Sequence, residues 1–181
     1  MRIIRLPGIH HDANAVIFAG NESSVLVDAG TTWYQMLQVE RISGHLGERK
    51  LSKILLTSRR YPFSGAAKYI SENNGNIPIH IHEDAISVLQ TGDFYSTWAN
   101  RYDSDMPSTD CVQVTQGDQF NLGDGSITAL SLPGHCTDGM GYFEVEREVL
   151  CTGAVIHIAE NPIMWDMPGG SLTELISSQT K

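Results

Sequence analysis

The sequence is short of positive charge. Against 21 Asp and Glu it sets only 12 Lys and Arg, for a formal net charge of -9 and a pI near 5.1. General nucleic-acid or anionic-membrane binding needs a basic surface that displaces counterions, so neither is expected. A local basic pocket at Arg59-Arg60 is the one exception to look for. Cysteine is scarce too. Cys111, Cys136 and Cys151 are odd in number and lack zinc-type or redox-type spacing, which fits a reducing cytoplasm. Long apolar runs are missing: nothing approaches the ~20 residues of a membrane span, and Pro7 and Gly8 stop MRIIRLPG from reading as a signal peptide.

What is there describes one globular domain over residues 1–181, with 41% hydrophobic and 18% charged residues, enough for a sizeable core. Short strands are expected at Ile3 to Leu6, Ala15 to Phe18 and Ser24 to Val27, the last two joined by a hairpin at Gly20-Asn21. Helices are expected at Thr32 to Leu46, Gly65 to Glu72 and Glu83 to Leu89, alternating with strands Lys53 to Leu56 and Ile77 to Ile81. The polar and aromatic stretch from Thr91 to Asp110 has no period and reads as a long loop or short helical insertion. Strands follow at Cys111 to Val114, Gln119 to Asn121, Ser126 to Leu132, Gly141 to Val145 and Val149 to Thr152, and a last helix from near Ser171. The fold class is α+β, with two sheets packed together and helices outside.

The loop LLTSRRYPFSG leaves a strand and enters a helix, a place where a rigid scaffold often positions chemistry. Yet Ser58, Arg59, Arg60, Pro62 and Phe63 include no residue that holds a metal or acts as a base.

Four segments in order, SSVLVDAGTT, KILLTSRRYPFSGAAKYI, LSLPGHCTDGMGYF and VLCTGA, resemble the metallo-beta-lactamase superfamily. The resemblance implies an αβ/βα sandwich of two mixed sheets, with the active site at one edge, and a chain that stops short at its C-terminus. In that family a T-H-x-H-x-D-H-x-G loop, a later P-G-H, the Asp of a G-D turn and a final His hold two metal ions. Zinc takes neutral imidazole and carboxylate there and makes hydroxide available near neutral pH.

Thr57 and Gly65 match the ends of that loop, but Ser58 and Arg60 stand at its first two His positions, Pro62 at the Asp and Phe63 at the third His. His135 matches the fourth His, and Ala154 replaces the bridging Asp. Arg60 has no lone pair to give and stays protonated, so the dinuclear site is not expected to form and no cofactor is expected. Asp28, in VLVDAG, matches an aspartate close to the metal loop. Arg59 or Arg60 is expected to supply it with the lost positive charge, and Phe63 to fill the lost volume.

The expected site is therefore the former pocket of Asp28, Ser58, Arg59, Arg60, Phe63, His135 and Ala154, either filled by its own side chains or binding a small anion through arginine. The alternative is a hydrolase with a rewired, mononuclear zinc, manganese or iron site drawn from His10, His11, His135 and His157, or from Asp12 and Asp138. Non-catalytic binding, regulation or assembly is the leading reading. A second sheet left short would need cover from a homodimer or a catalytic paralogue.

Overall fold

The computed structural model describes residues 1–156 and 169–181. The hairpin forms where the turn residues put it. β2 (Ala15–Ala19) and β3 (Ser24–Val27) are antiparallel, closed by Gly20 N–H donating to Ser23 O at 2.9 Å. β1 (Arg2–Leu6) adds to the outer side of β2. β4 (Lys53–Leu55), β5 (Ile79–Ile81) and β6 (Val112–Gln113) then add in parallel, giving a six-stranded sheet in chain order. Parallel neighbours need a crossover. These are α1 (Gln35–Leu46), the pair α2 (Tyr61–Ser64) and α3 (Ala67–Asn73), and α4 (Glu83–Thr91).

The second sheet is an antiparallel meander among the described residues: β7 (Gln119–Asn121), β8 (Ser126–Ser131), β9 (Met140–Glu144) and β10 (Val149–Cys151), in the order β10-β9-β8-β7. The last helix is α5 (Leu172–Gln179). Its N-cap Ser171 accepts from Glu174 N–H, as a cap residue does for an orphan donor.

Period-two alternation sorts the central strands between two cores. Ile17, Leu26, Ile54 and Leu56 face the helices, packed with Ile42, Ile70 and Leu89. Phe18, Val25, Val27 and Leu55 face the second sheet, packed with Ile127, Ala129, Met140 and Tyr142. A third, small cluster of Leu132, Val155 and Leu175 seats α5.

Local details depart from the sequence reading. The first helix opens as a 3-10 turn, Thr32–Tyr34. The second starts at Tyr61 rather than Gly65, because Pro62 suits a first helical turn and the Ser64 hydroxyl donates to Arg59 O (2.8 Å) and Arg60 O (3.1 Å). The aromatic stretch after Gly92 carries one 3-10 turn, Ala99–Tyr102.

Candidate functional site at the sheet edge

Three turns meet at the edge where the parallel strands end: the loop after β4, the turn after β8 and the turn after β10. Strand termini of this kind are where open α/β sheets place ligands. The loop is anchored first by Thr57, whose carbonyl accepts from Met140 N–H at 2.9 Å. Its amide and hydroxyl both donate to Asp28 Oδ1, at 2.8 and 2.9 Å. Asp28 is 3% exposed with φ of 60°. Burial raises its carboxyl to about 7, against the opposing pull of the Thr57 hydrogen bonds.

Neither arginine of the loop serves Asp28, contrary to expectation. Arg59 instead pairs with Asp138, which is fully buried. Its guanidinium lies 2.9 Å from Oδ1, and its amide donates to Oδ2 at 2.6 Å. Arg60, 2% exposed, donates from Nη1 to Ser96 O at 2.6 Å and lies 3.7 Å from the centre of the Trp98 ring. Arg101 approaches the same ring at 4.6 Å. A desolvated guanidinium over an indole is among the stronger cation–π arrangements. Burial lowers Arg60 to about 10, which still leaves it a cation at neutral pH.

Ser58 is buried, takes the Arg60 amide (3.2 Å) on its hydroxyl and lies 3.3 Å from Cys136 Sγ. Burial pushes that thiol up to about 12, far from the thiolate a nucleophile needs. His135 is half-buried and meets Trp98 edge-on at 5.8 Å.

The seven residues expected as one pocket thus separate. Ser58, Arg59, Arg60 and His135 gather around Trp98, Cys136 and Asp138. Asp28 and Phe63 line a cleft beside β10. Ala154 sits half-buried in the turn after β10. The alternative histidine site does not assemble from its described members: His10 stacks on Tyr34 at 5.6 Å, and His11 lies against Trp33 and Tyr102. His157 lies outside the described residues. His80 packs on Phe120, and His82 caps α4 by accepting from Asp84 N–H. The stretch after Gly92 showed its aromatics to sequence reading, but not that Ser96 and Trp98 hold Arg60.

A family model described as the metallo-beta-lactamase superfamily matches residues 9–181. The chain belongs to the metallo-beta-lactamase superfamily. Among solved structures, BLEG-1 B3 metallo-beta-lactamase superposes with a TM-score of 0.83 at 17% identity, over 99% of this chain and 84% of that one. The di-iron-bound form of TTHA1623 gives 0.76 at 20% identity, with the same 99% and 84% coverage. At such identities they establish the fold, the αβ/βα sandwich. Among curated proteins, the acyl-coenzyme A thioesterase MBLAC2 of Homo sapiens is 24% identical over 166 residues, 80% of this chain and 58% of that protein. An uncharacterized protein of Aquifex aeolicus is 34% identical over 67 residues, 37% of this chain and 31% of that protein. The chain therefore spans little more than half the length of the first of these curated relatives.

Metallo-beta-lactamase folds use this edge for metal, but the described residues at it do not fit one. Divalent cations want neutral imidazole, thiolate or carboxylate. At the loop's metal positions stand a hydroxyl, a guanidinium, a proline and a phenyl ring. Of the two carboxylates that reach the loop, Asp138 is bonded to Arg59 and Asp28 to Thr57. Among the described residues no three His, Cys, Asp or Glu side chains converge on one point, and none of the helices is long and apolar enough to cross a membrane.

Proposed function

We propose that this chain is a non-catalytic member of the superfamily, whose former metal pocket is filled by its own side chains and which acts by binding or assembly. The observation that supports this is the place of Arg60. Its guanidinium lies buried between Ser96 O and the Trp98 ring, on the loop where the family's metal ligands belong. A cation so placed repels a divalent ion and has no lone pair to offer it. With Arg60 committed to Ser96 and Trp98, and Arg59 to Asp138, self-filling is favoured over capture of a small anion. No cofactor is part of this reading.

The test is metal analysis of untagged protein incubated with zinc, manganese or iron and then desalted, together with a thioester hydrolysis assay. That substrate class is chosen because the human relative is named a thioesterase. Less than about a tenth of an equivalent of metal is expected, with no hydrolysis above the uncatalysed rate. Stoichiometric metal together with hydrolysis that is lost in His135→Ala would establish the rewired hydrolase instead.

A further inference from the structure

A cleft of about 640 Å³ opens between the inner face of the six-stranded sheet and β10, and none of Ser58, Arg59, Arg60 or His135 lines it. Small-molecule sites run from roughly 300 to 1,000 Å³ and are mostly apolar, with a few placed polar groups. The floor of this one follows from strand register. Arg5 on β1 is paired with Val16 on β2, and Val16 with Val27 on β3. Cross-strand partners share a face, so the three side chains form one row across the sheet. Ile3 lies on the same face of β1, two residues before Arg5. Phe63, from the loop after β4, and Leu150, from β10, add apolar surface.

The row ends in a charge. Arg5 stands on the face whose neighbours Ile3 and Val16 pack toward the second sheet. Among the described residues its guanidinium has one partner, the neutral amide oxygen of Asn14 at 3.2 Å, and no carboxylate pairs with it. The same oxygen takes the Gly8 amide at 3.1 Å, which holds Asn14 in place. A guanidinium carries five donors, and Arg5 is exposed, so the rest are open to a ligand. The one acid of the lining, Asp28, is bonded to Thr57, and burial raises its carboxyl to about 7. Burial also pushes the Cys151 thiol beside it up to about 12. On the acid side of neutrality the lining therefore carries mainly one charge, and it is positive.

We propose that this cleft binds a small amphipathic carboxylate, with its apolar body on Ile3, Val16, Val27 and Phe63 and its carboxylate on the Arg5 guanidinium. The planar fork of arginine matches a carboxylate with two parallel hydrogen bonds. Arg5 and Val27 are two strand spacings apart, roughly 10 Å, a span that a medium-length alkyl or aryl-alkyl body covers. The cleft gives the binding role a ligand class and rests on that reading only there. Binding is read on metal-free protein without turnover, so its failure leaves the metal and hydrolysis results untouched, and the reverse.

The experiment is calorimetric titration of the whole chain with octanoate at pH 6. Physiological salt is used, where the net charge of -9 is screened beyond about 8 Å. Saturable binding of a single equivalent is expected. Hexanoate, two methylenes shorter, should bind about tenfold more weakly. Octan-1-ol, which lacks the charge, should bind about fivefold more weakly, and octylammonium more weakly still. Arg5→Gln should erase the preference for octanoate over octan-1-ol with unchanged thermal unfolding. Leu150→Glu, which brings a like charge to the opposite wall, should weaken octanoate binding on its own, so the proposal does not hang on one variant. It is overturned by no saturation, by equal binding of octylammonium, or by a carboxylate preference that survives Arg5→Gln. Self-association of Arg5→Gln with octanoate binding unchanged would also overturn it, because the inward charge would then serve only to blunt the edge of β1.

Discussion

Arg60 keeps its charge where water hardly reaches, and the indole of Trp98 is what makes that tolerable. Trp98 itself stands at φ of 66°, a left-handed conformation that a bulky side chain adopts only when its surroundings hold it there. Removing the ring exposes both costs. Trp98→Ala is expected to lower stability by about 3 kcal/mol or more in urea denaturation, and Trp98→Phe, which keeps a ring, by clearly less. Asp28 makes the opposite kind of statement. Its carboxyl is raised from 3.8 to about 7, so the folded state holds a proton that the unfolded chain has released. Its stabilising contribution is complete below about pH 4 and is lost as pH climbs to 7. Urea midpoints measured from pH 4 to 8 should show that decline, and Asp28→Asn should remove this part of the slope.

The edge turns decide whether the elements come together. Gly134 has φ of 137°, and a Cβ there would stand 2.4 Å from Leu175 Cα. The turn after β8 and helix α5 approach so closely that backbone replaces side chain, and Ser171 N–H donates to Gly134 O at 2.8 Å. Gly134→Ala is expected to cost about 2 kcal/mol or more and to unseat α5. Faster amide exchange in residues 172–179, with the sheets unaffected, would be its signature. The Leu132, Val155 and Leu175 cluster is too small to hold the helix against that displacement.

Two apolar cores share the six-stranded sheet as a common wall, and a hydroxyl ties the second sheet to it. Tyr142, wholly buried on β9, donates to Leu56 O at 3.0 Å across the sandwich. Burial holds that phenol well above its ordinary range, so it remains a donor at any working pH. Tyr142→Phe should cost about 1 kcal/mol through the carbonyl left unpaired. Because both cores rest on one sheet, unfolding followed by far-UV and near-UV circular dichroism should trace one coincident transition, in the variant as in the natural protein.

Much of this was legible before any coordinates. The apolar runs Ala15 to Phe18 and Ser24 to Val27 and the Gly20-Asn21 turn between them are local properties, and they placed the hairpin where the sheet has it, though not which of its side chains face which core. So is the chemistry of the loop after β4: a guanidinium and a phenyl ring donate no lone pair to a metal in any fold. The sequence by itself therefore determined the kind of sandwich and the chemical character of the loop after β4. The partners of its charges were settled only by tertiary structure. Asp28, near the loop in the resemblance, looked like the acid that needed a cation, yet Thr57 satisfies it. Arg59 reaches Asp138, 79 residues on, and Arg60 reaches Ser96, 36 residues on. The physical reason is that side-chain reach is a few ångströms, so which acid or ring lies within it depends on how the three turns pack at the sheet edge, and no spacing along the chain encodes that.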